Sequence, residues 1–566
     1  MLSIPFLILL VVAAICFGLN ARIATRYLGS LAAGASLLAG LVLVGLALNQ
    51  SMPLEQQLFQ WSVSDAFVLD VGLHLEAYTL AFSVIILLGG ALALFVIALA
   101  LTSGLRSFGN LFGSALLVEV ALLFALLCNT VQLWPFLWAI TALASFATVW
   151  SSGALRKGVD GSFILISTLP ASLLLQFALV LSGNDGTIQG AAAAVALAIA
   201  VALAAGLAPF LTSITNLLEG PAALLGFCVG LGLPLVALLT LWRLVDLSPQ
   251  LQTSQLWQAG LATYGLAVLV IASAGALRER QLKELLGWVW SASAGVGLVA
   301  IAIAHQYAPL LIANSALGLF GLSLIVAVLE SYGHSGDYSA INFEETPLDP
   351  KLRRWLGFGW ALAGASLIGL PPLWGFWGYS ALIDRALASL AWAAPVLLFG
   401  LSLLGFGLLL PLSGLISRAF LGHTQTETLP ANRLQLVHGI PALVLLLLGL
   451  LPMLGGPLAI DAPLWALIAA WLFGLLAAWG SATLWRQSGQ AESFSQKPVI
   501  LAADALGESL SHIAWFANPK LLIERLWQLL EIVGEGVQVV MALFERRYYL
   551  AGVLLALISI LLIMAQ

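Results

Sequence analysis

The stretches "AAGLAPFLTSITNLLEGP" at 204–221 and "LIGLPPLWGFWGYS" at 367–380 each interrupt a long apolar run with proline. Pro209 and the Pro371-Pro372 pair have no backbone N–H to donate, so each frees carbonyls that a continuous helix would satisfy. If these runs cross a bilayer, the freed groups must find partners in protein or in enclosed water. A broken helix at membrane depth usually marks a pathway. Paired breaks in two halves of a chain are expected of an inverted-repeat transporter, although two unrelated proline kinks would leave the same local sequence.

Composition decides the solvent. Of 566 residues, 61% are hydrophobic and 8% are charged (21 Lys+Arg, 26 Asp+Glu), against roughly 25% charged in a soluble domain. A mean hydropathy of +1.05 and apolar runs of about 20 residues throughout exclude a soluble enzyme and indicate a polytopic helical membrane protein. The alternation of an outer-membrane barrel is absent from the sequence. About sixteen spans are expected, near 3–19, 27–49, 77–102, 109–130, 131–151, 162–182, 188–216, 220–243, 257–276, 285–305, 308–330, 355–384, 390–417, 436–455, 458–485 and 547–565.

The first run, Ser3 to Leu19, has no basic leader, and Arg22 and Arg26 follow it, so it reads as a retained span with the N-terminus outside. Alternating from there, 19 of the 21 cations fall on the cytoplasmic side, only Arg243 and Arg385 fall outside, and the C-terminus is outside as well. The outer loop 51–76 carries Glu55, Asp65, Asp70 and Glu76 with no Lys or Arg, and its "FQWSVSDAFVLDVGLHL" alternates as an extramembrane hairpin would. This organisation divides the chain into 1–108 (three spans and the outer loop), 109–243 and 257–422 (two five-helix repeats, helices 4–8 and 9–13), and 423–486 (two further spans). A cytoplasmic-side amphipathic segment at 487–546 and a last span at 547–566 follow. In "NPKLLIERLWQLLEIVGEGVQVVMALFERR", Leu522, Leu526, Leu529, Leu530, Val533, Val537 and Val540 recur at helical spacing, which suits a helix lying on the membrane or against a partner subunit.

No basic cluster reaches five residues, so nucleic acid is not a partner. Cys16, Cys128 and Cys228 sit inside apolar runs, without metal-ligand spacing. The sequence shows no nucleophile–base pair, metal cluster or glycine-rich phosphate loop and calls for no cofactor; the 54 glycines are spread through helices, where close packing explains them.

Around the breaks the chain resembles the proton-conducting antiporter family: antiporter-like membrane subunits of respiratory and photosynthetic complex I, multi-subunit Na+/H+ antiporters and membrane-bound hydrogenases. The likeness covers helices 3 to 13. "LPPLWGFWGYS" resembles the family's LPPLSGFxSK, and "QLKELLGWVWSASAG" resembles DLKRLLAYSSVSQLG through Lys283, Leu285, Leu286 and Gly295. "SRAFLG" resembles RxxFxG through Arg418, Phe420 and Gly422, and "PFLTSITNLLEGPAALL" resembles PLHTWLPDAMEGPTPVSAL through Pro209, Thr212, Glu219, Gly220 and Pro221. The EGP variant and the C-terminal extension point toward the largest complex I antiporter-like subunit.

The resemblance implies a row of buried charges that relays protons. Here the row is gone. The fifth-helix acid falls at Ala139, in Trp138-Ala139…Ser145-Phe146, and the seventh-helix lysine at Ala204. The eighth-helix histidine falls at Gly226, the lysine of NHAFFK at Leu319 and the lysine of GFxSK at Tyr379. Each loss removes a group costing roughly 2.5–3.5 kcal/mol to insert at mid-helix, so the scaffold dispenses with the row without losing stability. A tyrosine hydroxyl, which releases its proton only near pH ~10, is a poor carrier.

Glu119, in the middle of "SALLVEVALLFALL", remains as a candidate proton site, either a carrier or a neutral acid hydrogen-bonded to backbone or to a partner subunit. Lys283 is a second candidate on the path, or a topology anchor beside Arg278 and Arg280. Glu76 and Glu219 read as helix-end residues, His305 as interfacial, and Glu330 and Asp384 as solvated helix termini. Ser291, Ser293, Asn314 and Ser315 read as water-holding or packing polar residues. Two functions follow: a degenerate antiporter-like subunit with a structural or assembly role, or a working proton or Na+/H+ translocating subunit using Glu119 and water in the broken helices. The resemblance implies other membrane subunits as partners, in an NADH- or ferredoxin:quinone oxidoreductase, an antiporter complex, a hydrogenase or an inorganic-carbon uptake complex. Any redox chemistry would belong to those partners.

Overall fold

The computed structural model describes residues 2–19, 23–50, 52–64, 67–100, 108–152, 162–182, 187–208, 210, 221–279, 281–331, 350–370 and 373–421, all in the first of two compact units, Met1–Ser511. Pro209, Pro371, Pro372, Glu219, the expected spans at 436–455, 458–485 and 547–565 and the amphipathic segment at 487–546 lie outside the described residues.

Among the described residues, the long apolar runs are helical. In order run α1 (Ile4–Gly18), α2 (Thr25–Asn49), strands β1 (Leu54–Ser64) and β2 (Phe67–Leu75), then α3 (Ala77–Ala100), α4 (Phe108–Leu127), α5 (Trp134–Ser151), α6 (Ser162–Leu181) and α7 (Ala191–Ala204). A short α8 (Ala222–Leu225) passes through a π turn (Gly226–Gly230) before α9 (Leu233–Asp246). Then come α10 (Pro249–Thr253), α11 (Gln255–Arg278), α12 (Leu282–Ile303), α13 (Ala308–Ser331), α14 (Pro350–Leu367), α15 (Trp374–Ser389) and α16 (Ala393–Leu421). Proline opens α1, α5, α9 and α10, where its missing N–H costs nothing.

By length and composition, eight segments among the described residues can cross a membrane. Ala222–Asp246, α12 and α13 are buried almost all round and form the centre, whereas α2 and α5 turn an apolar flank outward. The expected hairpin forms: β1 and β2 pair antiparallel from Leu54↔Leu75 to Ser64↔Phe67. It is tied to the end of α4 by Gly72 N–H to Asn129 Oδ1 (3.0 Å) and Asn129 N–H to the Gly72 carbonyl (3.2 Å).

Both interrupted helices end in the same way. After α7, Gly206 takes φ +60°, Leu207 N–H reaches back to the Ala202 carbonyl (3.0 Å) and Gly206 N–H to that of Leu203 (3.4 Å). After α14, Gly369 takes φ +78°, Leu370 N–H reaches Ala365 (2.8 Å) and Gly369 N–H reaches Ser366 (3.2 Å). These are two Schellman endings, each followed by leucine, and only glycine enters that left-handed region without a Cβ penalty. Within the span expected at 188–216, which the sequence marks as broken, the first helix ends at Ala204, where the glycine turns the chain before the proline.

At the crossing of α11 and α12, a Cβ on Gly265 would meet the Gly295 carbonyl at 2.6 Å, and one on Gly295 would meet the Gly265 carbonyl at 2.7 Å. Bare glycine backbones let two central helices touch. Gly295→Val should lower thermal stability by about 1–3 kcal/mol through overpacking. Gly34→Val, where nothing lies within 4 Å, should leave it unchanged; paired melts of the purified variants check this.

Candidate functional site

The freed carbonyls at the breaks are bonded by side chains from distant helices. A proline at 209 cannot donate to the carbonyl of residue 205, and Trp290 Nε1 on α12 does so instead (2.8 Å). Beside it, Ser291 Oγ accepts from Ala208 N–H (2.8 Å), and the Tyr264 hydroxyl on α11 donates to the Ala208 carbonyl (3.4 Å). The second break repeats the logic. A proline at 371 cannot donate to the carbonyl of residue 367, and the Tyr379 hydroxyl on α15 donates there (2.7 Å). Asn314 on α13 donates from Nδ2 to the Ser366 carbonyl (3.0 Å) and accepts from Ser366 Oγ at Oδ1 (2.6 Å). Gly369 and Gly375 make room: a Cβ on Gly369 would meet the Tyr379 ring at 2.6 Å, and one on Gly375 would meet Asn314 Nδ2 at 2.8 Å.

The five positions where the resemblance implies charge are occupied by packing. Ala139 is half-buried on α5 beside the fully buried Trp138, and Ala204 is the buried last residue of α7. Gly226 opens the π turn, and Ser323 Oγ stands where its Cβ would be. Leu319, buried on α13, packs on the same turn with Cδ2 3.5 Å from the Cβ position of Gly230. Tyr379 is buried and committed to the Leu367 carbonyl.

Glu119 is the twelfth of 20 residues in α4 and is fully buried. Ser36, at the middle of α2, lies 2.6 Å from its Oε2. Oε1 has no hydrogen-bond partner among the described residues and fills the space left by the missing Cβ of Gly90 on α3, with the Phe227 ring edge 3.1 Å from that same point. The carboxyl therefore joins α2, α3, α4 and the π turn that carries position 226.

Lys283, at the start of α12, forms an ion pair with Glu330 near the end of α13. Glu330 Oε2 also accepts from Ala222 N–H (2.9 Å), the first amide of α8. Glu330 is thus bonded across three elements instead of being a freely solvated helix end. His305 sits at its helix end as expected, stacked on Trp242 at 5.5 Å and 3.3 Å from Asp246. Arg243 donates to the Leu126 carbonyl (2.9 Å) and lies over the Trp134 ring at 4.7 Å.

Sequence reading missed Trp290, Tyr264 and Ser36. A tryptophan inside "WVWSASAG" gives no local sign that its indole belongs to a carbonyl 85 residues away. No group of three or more His, Cys, Asp or Glu able to hold a metal occurs among the described residues.

Residues 162–405, the stretch holding both breaks and their partners, match the family model described as NADH:quinone oxidoreductase/Mrp antiporter, TM. Over this stretch the chain is similar to that antiporter-like family. The curated relatives include NADH-quinone oxidoreductase subunit N of Laribacter hongkongensis, 24% identical over 310 residues (53% of this chain, 62% of the relative). The subunit of the same name from Cupriavidus taiwanensis is 25% identical over 255 residues (44% and 51%). The matches thus span between half and two-thirds of these relatives. In fold, the chain is similar to a chain of the Mrp complex from a Dietzia species (TM-score 0.72, 20% identity, 100% of this chain and 63% of that one). It is also similar to a chain of respiratory complex I from Thermus thermophilus with bound NADH (TM-score 0.64, 19% identity, 84% and 100%).

Tyr379→Phe should leave the Leu367 carbonyl without its partner and cost about 1–3 kcal/mol. Trp290→Phe should cost a similar amount at Ala205, and Tyr307→Phe, at a site away from both breaks, should cost less than either. Thermal unfolding in one detergent ranks the three.

Proposed function

We propose that this chain is a non-conducting antiporter-like subunit, retained in a proton- or ion-translocating membrane assembly of the NADH-quinone oxidoreductase or Mrp type for its packing surfaces. The observation that carries this reading is the hydrogen bond from Tyr379 to the Leu367 carbonyl. At the position where the resemblance implies a lysine, the side chain is spent on holding the broken helix. Ser323 in the place of a Gly226 side chain and Leu319 against the π turn support the same reading, because neither offers a site for a proton.

Residues 109–243 and 257–422 are read as the two inverted repeats, with helices 7 and 12 broken. The matching Gly206 and Gly369 endings favour that pairing. An orientation with both termini outside rests on the distribution of Lys and Arg. Lys283 is read as a structural tie, since its partner Glu330 also caps α8. The other membrane subunits are its proposed partners, and the bilayer covers its apolar flanks.

A second reading, proton translocation through Glu119, is favoured by its Oε1, which has no hydrogen-bond partner among the described residues. The two separate in one preparation. The chain is expected to purify in fixed ratio with other membrane subunits, and Glu119→Gln in that complex is expected to leave proton flux into vesicles unchanged. Sodium- or proton-exchange by the chain reconstituted alone, or loss of flux in the Glu119→Gln complex, would overturn the structural reading.

A further inference from the structure

One ionisable side chain in the middle of a helix is left unused by the structural reading. We propose that Glu119 is a one-proton binding site that staples α2 to α4, closed when the proton is bound and loosened when it leaves. Hydrogen accounting leads there. Ser36 Oγ lies within bonding distance of two acceptors, Glu119 Oε2 at 2.6 Å and the Ala32 carbonyl at 3.3 Å, but carries one hydrogen. A neutral acid completes the chain. The Glu119 O–H donates to Ser36 Oγ, and Ser36 donates onward to Ala32.

The surroundings offer nothing to an anion. Oε1 is buried against Gly90 with the Phe227 ring edge beside it, and among the described residues it accepts no hydrogen bond. The elements packed on α4 are α1, α2, α3, α5, α9 and β2, together with the π turn at Phe227. Their ionisable side chains among the described ones are Cys16, Arg26, Tyr27, Tyr78, His74, Arg243 and Asp246, with Cys228 in the turn; Asp70 of β2 lies outside them. None bonds to the carboxyl: Arg26 and Tyr27 lie in the first turn of α2, Tyr78 at the start of α3, and Arg243 at the far end of α4, on the Leu126 carbonyl. An ionised carboxylate here would be a buried charge with a single neutral donor, a costly arrangement in hydrocarbon. Deprotonation, with the proton passing to bulk water, therefore drives the group out of the Gly90 seat and separates α2 from α4. The sign is fixed: the staple holds at low pH and weakens as pH rises.

The test compares infrared spectra of the purified complex containing wild-type chain with those of complexes carrying Glu119→Gln or Ser36→Ala. Expected are a protonated-carboxyl C=O band at neutral pH that disappears in Glu119→Gln, and its shift to higher frequency in Ser36→Ala, where the hydrogen bond is gone. Amide exchange in α2 should rise on alkalinisation of the wild type beyond the rise in Glu119→Gln. A wild-type spectrum without such a band, a band indifferent to Ser36→Ala, or equal alkaline exchange in wild type and Glu119→Gln would each overturn the proposal. These readouts do not depend on flux, so they stand or fall separately from the structural reading.

Discussion

A backbone carbonyl cannot be left bare in hydrocarbon, and the centre of this molecule is arranged around that constraint. Two helices stop at mid-course in glycine-led Schellman turns, and the carbonyls that prolines cannot serve are taken by Trp290 and Tyr379. Each bond ties a break to another helix: α7 to α12 through Trp290, and α14 to α15 through Tyr379. The reciprocal Asn314–Ser366 pair adds α13 to the second knot. Two of the deeply buried helices, α12 and α13, supply partners to the breaks, and α11 and α15 supply the others.

That commitment bears on chemistry. A side chain bonded to a freed carbonyl is held in one geometry, and a lone hydroxyl or indole N–H so held has no second partner to which it could pass a proton. The exchange is energetically favourable for a scaffold. A net hydrogen bond contributes about 0.5–1.5 kcal/mol, whereas a mid-membrane charge costs roughly 2.5–3.5 kcal/mol before it is paired. Gly226 and Leu319 complete the replacement by close packing, so the core holds together where a relay would have needed water.

Much of this was legible in the chain itself. Proline and low charge density located the breaks, alternation located the hairpin, and a single Glu in an apolar run located Glu119. What was not legible were pairings across long separations. Ser36 and Glu119 are 83 residues apart, and Ala222 and Glu330 are 108 apart. Glu330 in particular looks like an ordinary solvated helix end until α8 and α12 are brought against it. In the span at 188–216 the sequence marks the break by its proline, although the positive φ of Gly206 turns the chain first, at the end of α7.

The sequence by itself determined that the protein lives in lipid, that its helices break at Gly-Leu-Ala-Pro and Gly-Leu-Pro-Pro, and that uncharged residues stand at the five positions where the resemblance implies charge. These are properties of residue type and order, fixed by transfer energies and by the covalent chemistry of proline and glycine. Only the tertiary structure decided which side chain serves which orphaned carbonyl, and that among the described residues the carboxyl of Glu119 bonds to the Ser36 hydroxyl and to no cation. Such facts depend on which helix faces which, and helical periodicity alone leaves that choice open in a chain whose helices are apolar nearly all round.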